Sequence, residues 1–412
     1  MTRLRIAIVG HIRHPVARPF MGGMEAFTWR LARSLAHRGH DVHLLASGDS
    51  EADAPDGVTV HPVIDTHYDR DFPWHRFHGT DALNDHLDQA FARAGRMLIE
   101  GGFDVVHNNS LHRYIPRLAR THKLPMVSSL HIPPFRVLAD AMADGQCPWH
   151  IQTVTSARQA RIWWGMIRPA KAQVVHNGID LDDWPYHAGG DGSAVWSGRI
   201  TPNKGTHLAV QAARLANVPL RICGVIEHED YFNSAVRPYL SDRITYLGHL
   251  SGTELATIYA DASCMLFTPQ WEEPFGLAAV EAMATGLPVA ATDYGAVREV
   301  LGPAGAVATS DTASALAVAL VRALQIDPQT ARNRAVDCFG MDRMIAHFEG
   351  LYHEAQASTG LPARSVQFSQ NQLQIAAPDA GPTREPADVL TGLPMSPPGA
   401  TTPQSGVQER II

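Results

Sequence analysis

Two glutamates eight positions apart, Glu273 and Glu281, stand in the run Trp271-Glu-Glu-Pro-Phe-Gly-Leu-Ala-Ala-Val-Glu281. An apolar run ending at Phe267 precedes them, Pro274 suits the first position of a helix, and Gly276 lets the backbone approach a ligand closely. A helix opening there aims the N–H groups of Phe275, Gly276 and Leu277 into a cleft, where anions bind favourably. Glu281, two turns along, falls on the order of 10 Å from Glu273. That gap is too wide for a carboxylate dyad. It suits two hydrogen-bonding tasks on one extended ligand: sugar hydroxyls at Glu273, ribose hydroxyls at Glu281, and a diphosphate between them. Without context, a solvated glutamate on a helix surface explains Glu281 equally well.

Two other loops carry groups of the same kind. In Gly198-Arg199-Ile-Thr-Pro-Asn-Lys204-Gly205, Arg199 can grip phosphate oxygens bidentately while Lys204 acts as a point charge. An ordinary turn with solvated charges has the same composition. Met21-Gly22-Gly23-Met-Glu25 offers close backbone approach and N–H donors, but Gly-Gly before a helix is common and says little by itself.

Elements to hold these loops are legible. Residues 4–9 form a continuous apolar run, as a parallel strand covered on both faces requires. From Gly23 the apolar Met24, Phe27, Leu31 and Leu35 recur at helical spacing, Gly39 stops the helix, and 41–46 reads as the next strand. Strands are expected at 105–107 and 126–130, with a helix at 114–120 between them. The alternation restarts beyond about 170, with strands at 194–197, 220–223, 244–247, 264–267 and 288–291. Such patterns imply α/β layers with doubly wound sheets. The expected division is a Rossmann-like domain over 1–170, a second over 171–340, and a closing helix over 341–357 that returns toward the first. The Pro/Gly/Ser-rich segment 358–412 lacks the apolar surface to offset ordering entropy and reads as a disordered tail.

Composition narrows the partners. A net charge of −7 argues against a nucleic-acid partner, and no run of apolar residues is long enough to span a bilayer. The apolar stretch near the N-terminus is too short for a signal peptide. Cys147, Cys223, Cys264 and Cys338 lack CxxC spacing and read as reduced thiols of a cytoplasmic protein, with a peripheral position at the inner membrane face left open. Segment 67–100 has mixed, slightly acidic charge, so the basic surface of a lipid-modifying enzyme is not evident there. A metal site at His37, His40 and His43 is disfavoured because Gly39 breaks the helix between them.

Taken in order, these pieces resemble glycosyltransferase family 4 of the GT-B fold, over roughly residues 3 to 356. The resemblance rests on Gly22-Gly23-Met-Glu25, His131, Asn177-Gly178-Ile-Asp180, Gly198-Arg199 with Lys204-Gly205, Tyr246-Leu-Gly248, the Glu273–Glu281 signature and the Gly286-Leu-Pro-Val that follows. It implies two Rossmann-like domains facing each other across a cleft. It matches Arg199 and Lys204 to the diphosphate-binding pair, Glu281 to the ribose ligand, Glu273 to the sugar-binding carboxylate, Gly23 to a backbone contact near the diphosphate, and His131 to the histidine beside the transferred sugar. It also implies a retaining, metal-independent enzyme with no cofactor, which moves a hexose from a nucleotide-diphosphate sugar, UDP-glucose favoured, to an unidentified small-molecule, glycan or lipid acceptor. The chain departs from the family's habit at Ile132-Pro-Pro after His131, at Gln270-Trp271 before Glu272, and at 293–299, all of which bear on sugar and acceptor specificity. An epimerase or hydrolase of the same architecture and a non-catalytic nucleotide-sugar-binding protein are the rival readings.

Overall fold

The computed structural model describes residues 2–360. Strands β1 (Arg5–Val9), β2 (Asp41–Ser47), β3 (Val58–Ile64), β4 (Val105–Asn108), β5 (Met126–Leu130), β6 (His150–Val154) and β7 (Ala172–Val174) make one sheet in the order β3-β2-β1-β4-β5-β6-β7. A second sheet has the order β10-β9-β8-β11-β12-β13, from β8 (Ala194–Ser197), β9 (Leu220–Cys223), β10 (Ile244–Tyr246), β11 (Cys264–Phe267), β12 (Val289–Ala291) and β13 (Gly305–Val307). The pairings are parallel, with Ile6 opposite both Val42 and Val105. Each order reverses at one point, between β1 and β4 and between β8 and β11. Loops leaving the carboxyl ends of strands at such a point line a crevice. Gly22-Gly23 lies beyond β1, Arg199 and Lys204 follow β8, and Glu273 follows β11.

The apolar strands read from the sequence are buried on both faces: Ile6, Ile8, Val42, Val105 and Val127 are each fully covered. Helix α1 (Gly23–His37) buries Phe27, Leu31 and Leu35 against them. The last helix, here α3 (Met341–Ala357), comes back from the second sheet to the first, and Met344, Ile345, Phe348 and Tyr352 join the same core. Two chain segments therefore cross between the sheets, and they pair. Ile179 N–H donates to Phe339 O at 2.9 Å and Met341 N–H to Ile179 O at 2.9 Å. A methyl on Gly178 would come within 2.9 Å of Met341 Cα, so the crossing is closely packed at Asn177-Gly178.

Ser358 and Thr359 do not belong to a tail. Their side chains donate to Glu354 O and Gln356 O and finish the last helix. Gly360 N–H donates to Ala357 O, and 361–412 of the expected tail lie outside the described residues. His40 is committed to the fold: Nδ1 accepts from Leu4 N–H and Nε2 lies 3.0 Å from Glu349. All four cysteines are free, with Cys223 and Cys264 buried.

A polar row runs through the first sheet. His107 faces the Tyr352 hydroxyl at 2.6 Å and Ser129 Oγ at 2.9 Å, and His150 bridges Ser128 Oγ and Gly145 O at 2.9 Å each. Burial lowers the His107 imidazole from 6.5 to about 3 and the His150 imidazole to about 4. In the unfolded chain both take up a proton near 6.5, so below that pH the unfolded state binds more protons and stability falls. The contribution is complete above 6.5 and is lost as pH drops toward 4. Each histidine is expected to remove roughly 1.4 kcal/mol per pH unit in that window. Urea titrations at stepped pH should show the unfolding midpoint falling below pH 6.5, and a flat profile there would contradict the buried neutral pair.

Candidate active site

The loop after β8 brings Lys204 under the end of β11, where Thr268 Oγ donates to the Lys204 and Gly205 carbonyls at 2.9 and 3.0 Å. From there Lys204 Nζ reaches Glu273 Oε2 at 2.6 Å, and Trp271 Nε1 donates to the same oxygen at 2.8 Å. The ammonium also lies 5.0 Å from the Trp271 ring centre. Lys204 and Glu273, which the motifs assign separate tasks, are thus one ion pair: Glu273 is buried, only 7% exposed, and Lys204 is half-buried.

Arg199 is likewise matched. Its Nη1 lies 2.6 Å from Glu227 Oε2, and Arg13 of the first sheet's loops meets the other oxygen of Glu227 at 3.0 Å. Asp69 holds Arg13 from behind at 3.0 Å. Burial by itself would raise the Glu227 carboxyl, but Arg199 and Arg13 hold it below the usual range. Glu281 reaches across the cleft to Arg30 of α1 at 3.1 Å.

Helix α2 (Leu277–Thr285) starts three residues later than Pro274 led us to expect. Gly276 is its N-cap with φ of 97°, a left-handed conformation that a side chain resists, and a methyl there would sit 2.8 Å from the Phe267 ring. Phe275 is therefore not a helical residue. Its ring is buried beside His176 and Phe339. The N–H groups of Phe275, Gly276 and Leu277 make no hydrogen bond among the described residues, so the turn still presents them as donors.

Across the cleft, Gly22 caps α1, and a methyl on Gly23 would come 3.2 Å from Leu277 Cδ1. Glu25, one turn in, is buried, and burial pushes its carboxyl up. His131 follows β5 and packs edge-on to Phe27 with centroids 4.4 Å apart. Its Nε2 lies 3.2 Å from Asn109 Oδ1, which makes Nε2 the donor and leaves Nδ1 as acceptor. Burial lowers this imidazole to about 4, so it is neutral at physiological pH. Gln159 donates to the carbonyls of Leu130 and Ile132 on either side of it, at 2.8 and 2.9 Å.

All ten expected site residues (Gly22, Gly23, His131, Arg199, Lys204, Glu273, Phe275, Gly276, Leu277 and Glu281) line one cleft of about 3540 Å³ between the two sheets. The sequence reading missed Arg13, Arg30 and Glu227, whose partners lie 214, 251 and 28 positions away, with no local signal linking them. Trp271 stood inside the quoted motif and was given no task.

The family profile described as Glycosyltransferase Family 4 matches residues 21–183, and that of Glycosyl transferases group 1 matches residues 187–336. The chain belongs to glycosyltransferase family 4. Its fold is GT-B, and it is a transferase enzyme. D-inositol 3-phosphate glycosyltransferase of Mycolicibacterium vanbaalenii is 28% identical over 391 residues, spanning 81% of this chain and 85% of that one. Glycogen synthase of Mycobacterium tuberculosis is 28% identical over 383 residues, spanning 81% and 88%. Among solved structures, sucrose-phosphate synthase from Thermosynechococcus elongatus superposes with a TM-score of 0.72 at 20% identity, covering 86% of this chain and all of that one (100%). Anabaena HepE in complex with UDP-glucose gives 0.65 at 16% identity, covering 84% and 99%.

If this glycosyltransferase uses its cleft cations on developing negative charge, Lys204→Ala and Arg199→Ala should each lower the rate of sugar transfer by about 10²-fold or more, the scale of one lost charge-stabilising donor. Near-normal rates in both single variants, measured as nucleotide release, would refute the assignment.

Proposed function

We propose that this glycosyltransferase moves a hexose from a nucleotide-diphosphate sugar, UDP-glucose favoured, to an acceptor hydroxyl, with retention of configuration and without a metal. The observation that carries the reading is the meeting of Arg199, Lys204, Glu273 and Glu281 in one cleft beside the open N–H groups of α2. Those groups match the parts of such a donor in order: ribose at Glu281, diphosphate at the helix end and the two cations, sugar at Glu273. HepE, of the same fold, is known in complex with UDP-glucose, which supports this choice of donor.

Cleavage of the glycosyl–phosphate bond passes through an oxocarbenium-like state while charge builds on the departing diphosphate. Arg199, Lys204 and the N–H groups at 275–277 are aimed at that charge, and preorganised donors of this kind usually contribute most. Glu273 is tied to Lys204 and Trp271, an arrangement suited to holding sugar hydroxyls rather than to attacking carbon. We favour attack by the acceptor hydroxyl on the leaving-group face, with a diphosphate oxygen taking its proton. Neutral His131 offers the sugar a hydrogen-bond acceptor at Nδ1 and adds no positive charge beside the oxocarbenium carbon.

UDP-, GDP- and ADP-sugars incubated singly with the protein should separate the donors, one of them releasing free sugar slowly. The anomer formed first, followed by NMR, should keep the donor's configuration, and chelator should leave the rate unchanged. An inverted first product, or a rate abolished by chelator and restored by a divalent cation, would overturn the mechanism. Tight nucleotide binding without turnover on any acceptor would overturn the catalytic reading itself.

A further inference from the structure

Helix 157–164, the one whose Gln159 holds the His131 segment, ends in a loop unlike any other among the described residues. Met166 is 98% exposed and Ile167 87%, while the remaining exposed large apolar residues range from 37 to 63% among the described residues. The two are adjacent, follow Trp163-Trp164, and stand at a turn where Gly165 has φ of 59°. The tryptophans are half-buried. They pack in the small core with Leu130 and Phe135, and Trp163 Nε1 donates to Ile132 O at 2.9 Å. The tip is therefore rigidly based, and its apolar side chains point away from every core of the fold.

Charge sorts the same way. In a chain of net charge −7, the stretch from Gly145 to Ile179 holds no Asp or Glu, while it carries Arg158, Arg161, Arg168 and Lys171. Arg158 and Lys171 are taken up by Glu272 and Glu354. Arg161 and Arg168 are exposed and have no carboxylate partner among the described residues, and Arg168 lies 5.9 Å from the Trp164 ring centre. An aliphatic tip on an aromatic base with unpaired cations beside it fits a lipid–water interface. There the apolar side chains leave water, indole rings rest at headgroup level and arginines meet phosphates. A protein partner would need a complementary surface round the tip, whereas this tip is two side chains wide.

We propose that loop 165–168 docks the enzyme on an anionic bilayer surface, with Met166 and Ile167 entering the acyl boundary and Arg161 and Arg168 against lipid phosphates. The base of the loop packs on Phe135, and Phe135 and the neighbouring Pro133-Pro134 line the cleft. Docking in this way sets the His131 side of the cleft next to the membrane. That consequence for acceptor supply rests on the transferase reading; the docking surface itself rests only on exposure and charge.

Flotation of the full chain with vesicles of equimolar phosphatidylglycerol and phosphatidylcholine tests it. The wild type should float with these vesicles and remain behind with phosphatidylcholine alone. Met166→Ser/Ile167→Ser should weaken binding by about tenfold or more, and Arg161→Ala/Arg168→Ala should remove most of its salt sensitivity. Both side chains of the first variant are solvent-exposed, so its donor hydrolysis and thermal midpoint should match the wild type. Loss of hydrolysis in the wild type would count against the transferase reading and leave the docking result standing. No flotation of the wild type, or equal flotation of the serine variant, would overturn the docking surface. So would concentration-dependent dimerisation in sedimentation that the serine variant abolishes, since a second copy would then be the partner.

Discussion

Arg199 and Lys204 enter the cleft with carboxylates already against them, 2.6 Å away in both cases. The reason is physical: a cation drawn partly out of water is costly unless a counter-charge comes with it. Glu227 and Glu273 supply that charge, and Arg13 and Arg30 extend the pairing across the cleft to Glu227 and Glu281. Binding an anion here is therefore an exchange of partners. In the proposed donor complex a diphosphate between Arg199 and Lys204 would take over contacts that the carboxylates now hold, and it would have to offer better geometry than they do. This favours a ligand with several oxygens over a single small anion. It also gives the protein a folded site before the donor arrives.

The same pairing links the two halves of the molecule. Ion pairs from Arg13, in the loop after β1, to Glu227, and from Arg30 of α1 to Glu281 of α2, join the two halves, while the covalent crossings at Ile179 and at Gly340-Met341 lie side by side in one strip of backbone hydrogen bonds. A paired crossing confines relative movement to a narrow hinge, with α3 anchored in the first core. The cross-cleft ion pairs of Arg13 and Arg30 join groups on the two sides of the cleft, so a movement that widens it draws them from their carboxylates. On the proposed reading, donor binding and domain position would draw on the same few charges, and Glu281 would serve a ribose hydroxyl fully only as its contact with Arg30 relaxes.

The regular parts of this architecture were legible where apolar runs coincide with strands. The strands at 126–130, 194–197, 220–223 and 264–267 were read at their observed limits. The sequence reading missed β6, because His150, Gln152 and Thr153 hide a fully buried strand behind polar side chains satisfied by Ser128 and Ser129 of β5 and by neighbouring backbone carbonyls. It missed β3 as well, where His61 and Pro62 interrupt the alternation at a sheet edge. The start of α2 was misplaced because Pro274 imitates a helix opening that Gly276 in fact makes. Within the site, the motif residues were found because each lies beside a strand end that the pattern already marks. Arg13, Arg30 and Glu227 were not found: pairing over 214 and 251 positions for the two arginines, and over 28 from Glu227 to Arg199, leaves no trace in local spacing.

That division follows from where the constraints lie. The second sheet carries most of the charged groups of the cleft, and its carboxylates Glu227, Glu273 and Glu281 are held by side-chain contacts to Arg199 and Arg13, to Lys204 and Trp271, and to Arg30. The first sheet contributes helix α1, neutral His131 and the segment at 132–136, where this chain departs from its family's habit with Ile132-Pro-Pro. Gln159 and Trp163 both hold that segment by the Ile132 carbonyl, and they belong to the helix that leads into Met166 and Ile167. The His131 side of the cleft and the most exposed large apolar side chains among the described residues are therefore set by a single short helix. A change in its packing must be felt at both of its ends.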